Sequence, residues 1–392
     1  MDSQTVAPSQ RPRVSFIVSA PMTIEVFLKA HIKALSEDFF IDVICNASQR
    51  QLPQIEGAES VRFHHIAIDR SPNLARDLAA LTKLIKLLLE LKPDVVQSVT
   101  PKAGLLGMIA ARLAQVPIRV HWVTGQVWAN RSGFRRLTLK FIDKLMLSLT
   151  TNILVDGPTQ MKFLLKQGLV SESNTRVIGS GSIAGVDTDI FRPDPEARRS
   201  TRSALSVAKT TLVLCFVGRL KREKGFTDLA DALATLDSRE DFLLLAVGRD
   251  EENLAPRART VLGSRFMHVD HTNEVQKYLQ ASDLFVLPSH REGFGLSVIE
   301  ASSCELPVIV SDIYGLEDAI VPEITGLTCP VMDVPALAST ISTLSSEPDT
   351  RTRLGSAGRQ RALQLFRQDT IVQEYVAFIA DLTRSVNPGE SA

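Results

Sequence analysis

The sequence has no excess of either charge, no long apolar run and few cysteines, and each shortage removes a class of function. Its 44 Lys and Arg residues are cancelled by 44 Asp and Glu, so no broad positive field is available to hold a nucleic acid, and any basic surface must be local. The four cysteines, Cys45, Cys215, Cys304 and Cys329, are scattered without a Cys-x-x-Cys spacing. Three of them stand in or beside apolar segments, which fits buried thiols of a reducing cytosol and argues against disulfides or a zinc site. No apolar stretch approaches the ~20 residues of a membrane-spanning helix. The richest, Leu78 to Leu91, is interrupted by Lys83, Lys86 and Glu90. The polar, proline-containing start carries no secretory signal, so a cytoplasmic protein is expected.

What is present is ordinary globular material. Apolar residues make up 44% of the chain, and 392 residues exceed one ordinary core, so two domains of roughly 190 residues are expected. Strand-like runs alternate with helical patterns through both halves, which predicts parallel sheets covered by helices. Strands are expected near Val14–Val18, Ile41–Cys45, Val61–Ile66, Val95–Val99, Ile118–Trp122, Asn152–Val155 and Thr175–Ile178. After the Phe191-Arg192-Pro193 connection they resume near Leu212–Val217, Phe242–Val247, Arg265–His268, Leu284–Leu287 and Val308–Val310. The expected division is a disordered tail over 1–12, a first domain over 13–193, a second over 194–368, and a terminal helical segment over 369–392. Ligands of open α/β sheets bind outside the strand ends, so the site is sought in the loops that follow strands.

Two such loops carry the chemistry. Pro288-Ser289-His290-Arg291-Glu292-Gly293-Phe294-Gly295-Leu296 links a buried strand to a helix. Gly293 and Gly295 allow backbone N–H groups near a ligand, and the helix start beyond them is an anion site. Glu292 in the loop and Glu300 in the helix flank that position, each able to accept from sugar hydroxyls. From another strand end, Gly218-Arg219-Leu220 through Lys224-Gly225 supplies two cations, Arg219 and Lys224, that can neutralise a diphosphate. Phe294 falls inside the binding segment but is the residue expected to pack beneath it.

Together these segments resemble the donor site of retaining glycosyltransferases of family 4. The glutamates separated by seven residues match Glu292 and Glu300, and the Gly-Arg-Leu…Lys-Gly stretch matches Arg219 and Lys224. Gly185-Val186-Asp187…Phe191-Arg192-Pro193 resembles the family's interdomain segment. The resemblance implies the GT-B fold, two Rossmann-like doubly wound domains facing across a cleft, with a last helix crossing back to the first domain. It implies Glu292 toward the sugar and Glu300 on the ribose diol. Donor contacts are expected from Gly218, Arg219, Lys224, Glu292, Gly293, Phe294, Gly295, Leu296 and Glu300, and catalysis from Glu292, Arg219 and Lys224. No cofactor is expected beyond the nucleotide-diphosphate sugar, with cations in place of a metal held at an Asp-x-Asp motif.

In the first half, Ser19 to Thr23 lacks the glycine-rich loop common in the family. Thr23, Lys102, Thr124 and Gly125 are the candidate acceptor or cleft residues, each following a strand. The family's histidine falls at Thr124, and His121, three residues earlier, is free to face the core. Segments Lys92 to Gly104 and Thr124 to Trp128 resemble enzymes acting on polyprenol-linked sugars in capsule or lipopolysaccharide pathways. The expected partners are therefore a nucleotide sugar, with uridine as the base, and a glycan or polyprenol-linked acceptor. Arg131, Arg135, Arg136, Lys140 and Lys144 run along an apolar helix, a packed element with a solvated basic face or a contact for an anionic membrane surface. A nucleotide-sugar epimerase of the same fold and a non-catalytic nucleotide-sugar-binding partner are the alternative readings.

Overall fold

The computed structural model describes residues 11–47, 55, 57, 58, 60–69, 73–236 and 241–386, so all but the last two residues of the expected tail lie outside the described part. The chain divides into two compact units, residues 1–184 with 369–392 and residues 185–368.

The first unit is built on a seven-stranded parallel sheet. Its strands are β1 (Arg13–Val18), β2 (Phe40–Cys45), β3 (Arg62–His65), β4 (Val95–Val99), β5 (Ile118–Val123), β6 (Asn152–Val155) and β7 (Thr175–Val177), in the order β3-β2-β1-β4-β5-β6-β7. The central strands β1, β4 and β5 are buried along nearly their whole length, polar Ser15, Gln97, Ser98 and His121 included, because helices cover both of their faces. On one face Ile17, Val96 and Ile153 pack with Leu84, Met108 and Leu147 from the helices Leu74–Leu91, Pro101–Leu113 and Gly133–Ser148. On the other, Trp122 stacks on Tyr375 with ring centroids 5.5 Å apart, and His31 meets Tyr375 edge-on at 4.8 Å. Tyr375 belongs to the terminal helix Gln368–Val386, so these aromatic contacts seat that helix on the first sheet. The helical connection between β1 and β2 is segmented: Pro21–Thr23, a π-helical turn over Ile24–Leu28, then Lys29–Leu35.

The second unit holds a six-stranded parallel sheet. Its strands are β8 (Leu212–Val217), β9 (Phe242–Val247), β10 (Phe266–Val269), β11 (Leu284–Leu287), β12 (Val308–Ser311) and β13 (Leu327–Cys329), in the order β10-β9-β8-β11-β12-β13. β13 is an addition to the expected set, a three-residue edge strand too short to show a periodicity. The division between units falls at Gly185, ahead of the Phe191-Arg192-Pro193 connection. Val186 N–H donates to Phe366 O at 2.7 Å and Gln368 N–H to Val186 O at 2.9 Å. This pairing ties the segment from Gly185 onward into the second unit.

Candidate active site

In the second sheet β8 connects to β9 on one side and has β11 on the other, so strand order reverses between β8 and β11. Open parallel sheets bind ligands at such a switch point, beyond the carboxyl ends of the strands. The loops after β8 and β11 are the two singled out by sequence. They touch at Gly225, whose φ of +69° and whose position, with an added Cβ only 1.8 Å from Pro288 O, exclude any side chain. Four successive residues of the second loop are then fastened to the segment from Glu223 to Asp228. Ser289 Oγ donates to Glu223 O at 3.3 Å, and His290 N–H donates to the same oxygen at 2.9 Å. His290 Nε2 lies 2.6 Å from Asp228 Oδ2, Arg291 pairs with the Glu223 carboxylate, and Lys224 Nζ donates to Glu292 Oε1 at 2.6 Å.

The two catalytic candidates Lys224 and Glu292 are thus brought together as a half-buried ion pair. Arg219, at the end of β8, is more exposed and shares Glu251 with Lys221, at 3.3 and 2.6 Å. None of these partners, Glu251, Glu223 or Asp228, was singled out from the sequence, because surface carboxylates are common and only the fold shows which loop each one faces. Glu300 is half-buried on the helix Leu296–Ser303, and desolvation pushes its carboxyl up to about 7. A desolvated carboxylate of this kind is stabilised as an anion by hydroxyl donors, which is what a ribose diol offers.

The helix itself opens as expected at Gly295, with no side chain capping it, which leaves its first N–H groups for an anion. The reason for glycine there is partly packing: φ is +84°, and an added Cβ would meet Leu316 Cδ2 at 2.5 Å. The Phe294 side chain is not a ligand contact. It is buried, 5.2 Å edge-on from Phe366, so only its backbone serves the loop. Gly293, Leu296 and Gly218 lie in the same loops and helix start; Leu296 packs partly against the core.

The first unit has its own switch point, between β1 and β4. Ser19 and Thr100 close it with a hydroxyl contact of 3.2 Å, and Thr100 holds φ +74°, a strained value for a β-branched residue. That strain was invisible in the sequence. Of the acceptor candidates, Thr23 is buried and withdrawn from solvent, and Lys102 is bound to Asp77 at 2.6 Å. Thr124 is half-buried, its carbonyl accepting from Gln126 and Gln160 side chains, and Gly125 is buried beside it. Those two line a small recess with His121 and Asp143. His121 faces the core: its Nδ1 lies 2.8 Å from Ser98 Oγ, and burial lowers it to about 3, a neutral ring.

An Asp-x-Asp triplet does occur, Asp187-Thr188-Asp189, but Asp187 Oδ1 accepts the N–H groups of Asp189 and Ile190 at 3.0 and 3.2 Å, the use of an Asx turn. Among the described residues no cluster of three or more His, Cys, Asp or Glu side chains is placed to hold a metal ion.

Comparison with known proteins agrees with this geometry. Residues 197–361 match the family "Glycosyl transferases group 1", and residues 24–181 match "Glycosyl transferase 4-like domain". The chain is 30% identical over 316 residues to the capsular polysaccharide biosynthesis glycosyltransferase CapM of Staphylococcus aureus, covering 79% of this chain and 83% of that one. It is 30% identical over 308 residues to the UDP-Gal:alpha-D-GlcNAc-diphosphoundecaprenol alpha-1,3-galactosyltransferase of Escherichia coli, covering 76% and 78%. A solved sucrose-phosphate synthase from Thermosynechococcus elongatus shares the fold with a TM-score of 0.80 at 22% identity, covering 96% of this chain and 100% of the other. The architecture is therefore the GT-B class. The chain belongs to the family 4 glycosyltransferases.

Proposed function

We propose that this glycosyltransferase transfers a hexose or N-acetylhexosamine from a UDP-sugar, with retention of configuration, to a polyprenol-linked or glycan acceptor in surface polysaccharide synthesis. The observation that carries the donor reading is the joining of Lys224 and Glu292 beside an uncapped helix start that ends in a half-buried Glu300. Glu300 accepts from the ribose hydroxyls, and the N–H groups near Gly295 with Arg219 and Lys224 take the diphosphate. Glu292 orients the sugar. As the glycosidic bond to the phosphate breaks, the two cations stabilise the charge that develops on the leaving diphosphate. The acceptor hydroxyl attacks from the same face, and its proton passes to the departing phosphate oxygen. In this scheme the cations and the helix terminus do the work of a metal ion.

The acceptor class is supported by the galactosyltransferase activity of the Escherichia coli relative and by the capsular role of the Staphylococcus aureus one. The test is turnover of UDP-galactose, UDP-glucose and their N-acetylated forms with a GlcNAc-diphosphoundecaprenol acceptor, the product's anomeric configuration being read by NMR. Net transfer with retention is expected. Interconversion of the sugars without acceptor would favour an epimerase, and no turnover even to water a binding protein.

Peripheral contact with an anionic leaflet belongs to the same reading. No described helix is long and apolar enough to cross a membrane. The helix Gly133–Ser148, however, turns an apolar stripe outward: Phe134, Leu137, Phe141 and Leu145 are 84, 66, 67 and 42% exposed. Arg131, Arg135 and Lys144 are exposed around it, whereas Arg136 and Lys140 lie over the Trp128 ring, each 5.7 Å from its centroid. Cations near an anionic surface contribute about 1 kcal/mol each, and the stripe supplies the apolar part. Replacing Arg131, Arg135 and Lys144 with glutamine is expected to reduce sedimentation with phosphatidylserine liposomes without changing UDP affinity. Equal pelleting of variant and parent would remove the membrane contact.

A further inference from the structure

We propose that His290 and Asp228 form a positioning pair that holds Glu292 and its partner Lys224 in register for transfer, an inference that rests on the donor-site reading above. The carboxylate of Asp228 only accepts, so the Nε2 of His290, 2.6 Å away, carries the hydrogen. The neighbours of His290 are fastened differently. Ser289 and Arg291 both reach Glu223, and Glu292 is met by Lys224, all in or beside the short 3-10 turn Arg222–Lys224, which buries none of its own residues. His290 reaches beyond that turn, to Asp228 in the helix Phe226–Ala234, whose Phe226, Leu229 and Leu233 are buried in the core. The pair therefore references the Glu292 loop to a rigid element, while the named contacts to Glu223 and Lys224 join one loop to another.

This matters because Lys224 has two tasks. Without donor its ammonium is bound to Glu292; with donor it must share its three N–H donors with the diphosphate. A loop held by the turn alone would follow Lys224 as it moves. Held from the helix through His290, Glu292 keeps its place while the ammonium reorients, so the benefit appears at the chemical step rather than in nucleotide affinity.

The test uses the full-length enzyme and three readouts: melting temperature, UDP affinity by calorimetry, and kcat with KM from UDP release with the UDP-sugar that the parent turns over. His290→Ala and Asp228→Ala are each expected to lower kcat about tenfold while UDP Kd and donor KM stay within about twofold. The double variant should be no worse than either single one. His290→Gln, whose amide still donates to Asp228, and Asp228→Asn, whose amide oxygen still accepts, should recover most of the loss. In a Glu292→Gln background, His290→Ala should have no further effect. Unchanged kcat in His290→Ala, additive losses in the double variant, or losses of UDP affinity and thermal stability parallel to kcat would each overturn the proposal. A parent that turns over a UDP-sugar while the variants fail these expectations sinks the pair alone; a parent that binds no UDP sinks the donor-site reading and the pair with it.

Discussion

Replacing Glu300 with glutamine should make the protein more stable at alkaline pH and poorer at holding a nucleotide. Burial raises this carboxyl from its ordinary 4.5 to about 7, a span of about 2.5 pH units at about 1.36 kcal/mol each, so keeping the anion inside the fold costs on the order of 3 kcal/mol. The folded value lies above the unfolded one. The contribution of this group to stability is therefore full below pH 4.5 and lost as pH rises through 7. Glutamine mimics the protonated form, so the variant should match the parent near pH 4 and exceed it by up to about 3 kcal/mol near pH 8.5. The same anion is what ribose hydroxyls need. Losing hydrogen bonds to a charged group is worth about 1.5–3 kcal/mol, which is roughly 10- to 150-fold in UDP affinity. Parent affinity for UDP should itself rise between pH 6 and pH 8 as the carboxylate forms. Urea unfolding at both pH values and calorimetry with UDP give the two measurements. A stability difference independent of pH, or unchanged UDP affinity at pH 8, would refute the reasoning.

Four shorter expectations accompany it. Arg219→Ala should weaken UDP binding by about 1.5–3 kcal/mol with little change in melting temperature, because Glu251 keeps Lys221 at 2.6 Å; unchanged affinity by calorimetry removes Arg219 from the site. Gly225→Ala, with its Cβ 1.8 Å from Pro288 O, should destabilise the protein by about 2 kcal/mol or more and separate the two donor loops, with melting temperature and UDP-sugar turnover as the measurements. Burial lowers His31 to about 4 and His121 to about 3; both lie below the ordinary 6.5, so their contribution is full above pH 6.5 and is lost on acidification through those values, and His31→Phe should flatten the fall in melting temperature between pH 7 and pH 5. Transfer should persist in excess EDTA; activity abolished by the chelator and restored by magnesium or manganese would contradict the metal-free scheme.

Much of this architecture was legible locally. The runs of β4, β6, β8, β9 and β11 were bounded residue for residue; β8, β9 and β11 are continuous apolar segments, as strands buried on both faces are. Edge strand β13 was missed, since three residues between Gly326 and Pro330 carry no period. The two candidate loops stood out for a different reason: glycines, two glutamates and two cations at strand ends are a chemical pattern that does not depend on packing.

By itself, then, the sequence determined the alternation of strand and helix and the chemical make-up of the two candidate loops, all properties of neighbours along the chain. The tertiary structure decided everything that depends on which distant segments meet. It paired Lys224 with Glu292 across 68 positions and His290 with Asp228 across 62. It buried Thr23, which its loop alone had left open. It set Tyr375 on Trp122, so that the terminal helix joins the first unit, and it turned Phe134, Leu137 and Phe141 outward on a helix whose composition read as packed. The physical reason is common to all four. A residue's neighbours in sequence fix its backbone and its periodicity, whereas its burial and its ionic partner are set by surfaces that come together only when the sheet order places them side by side.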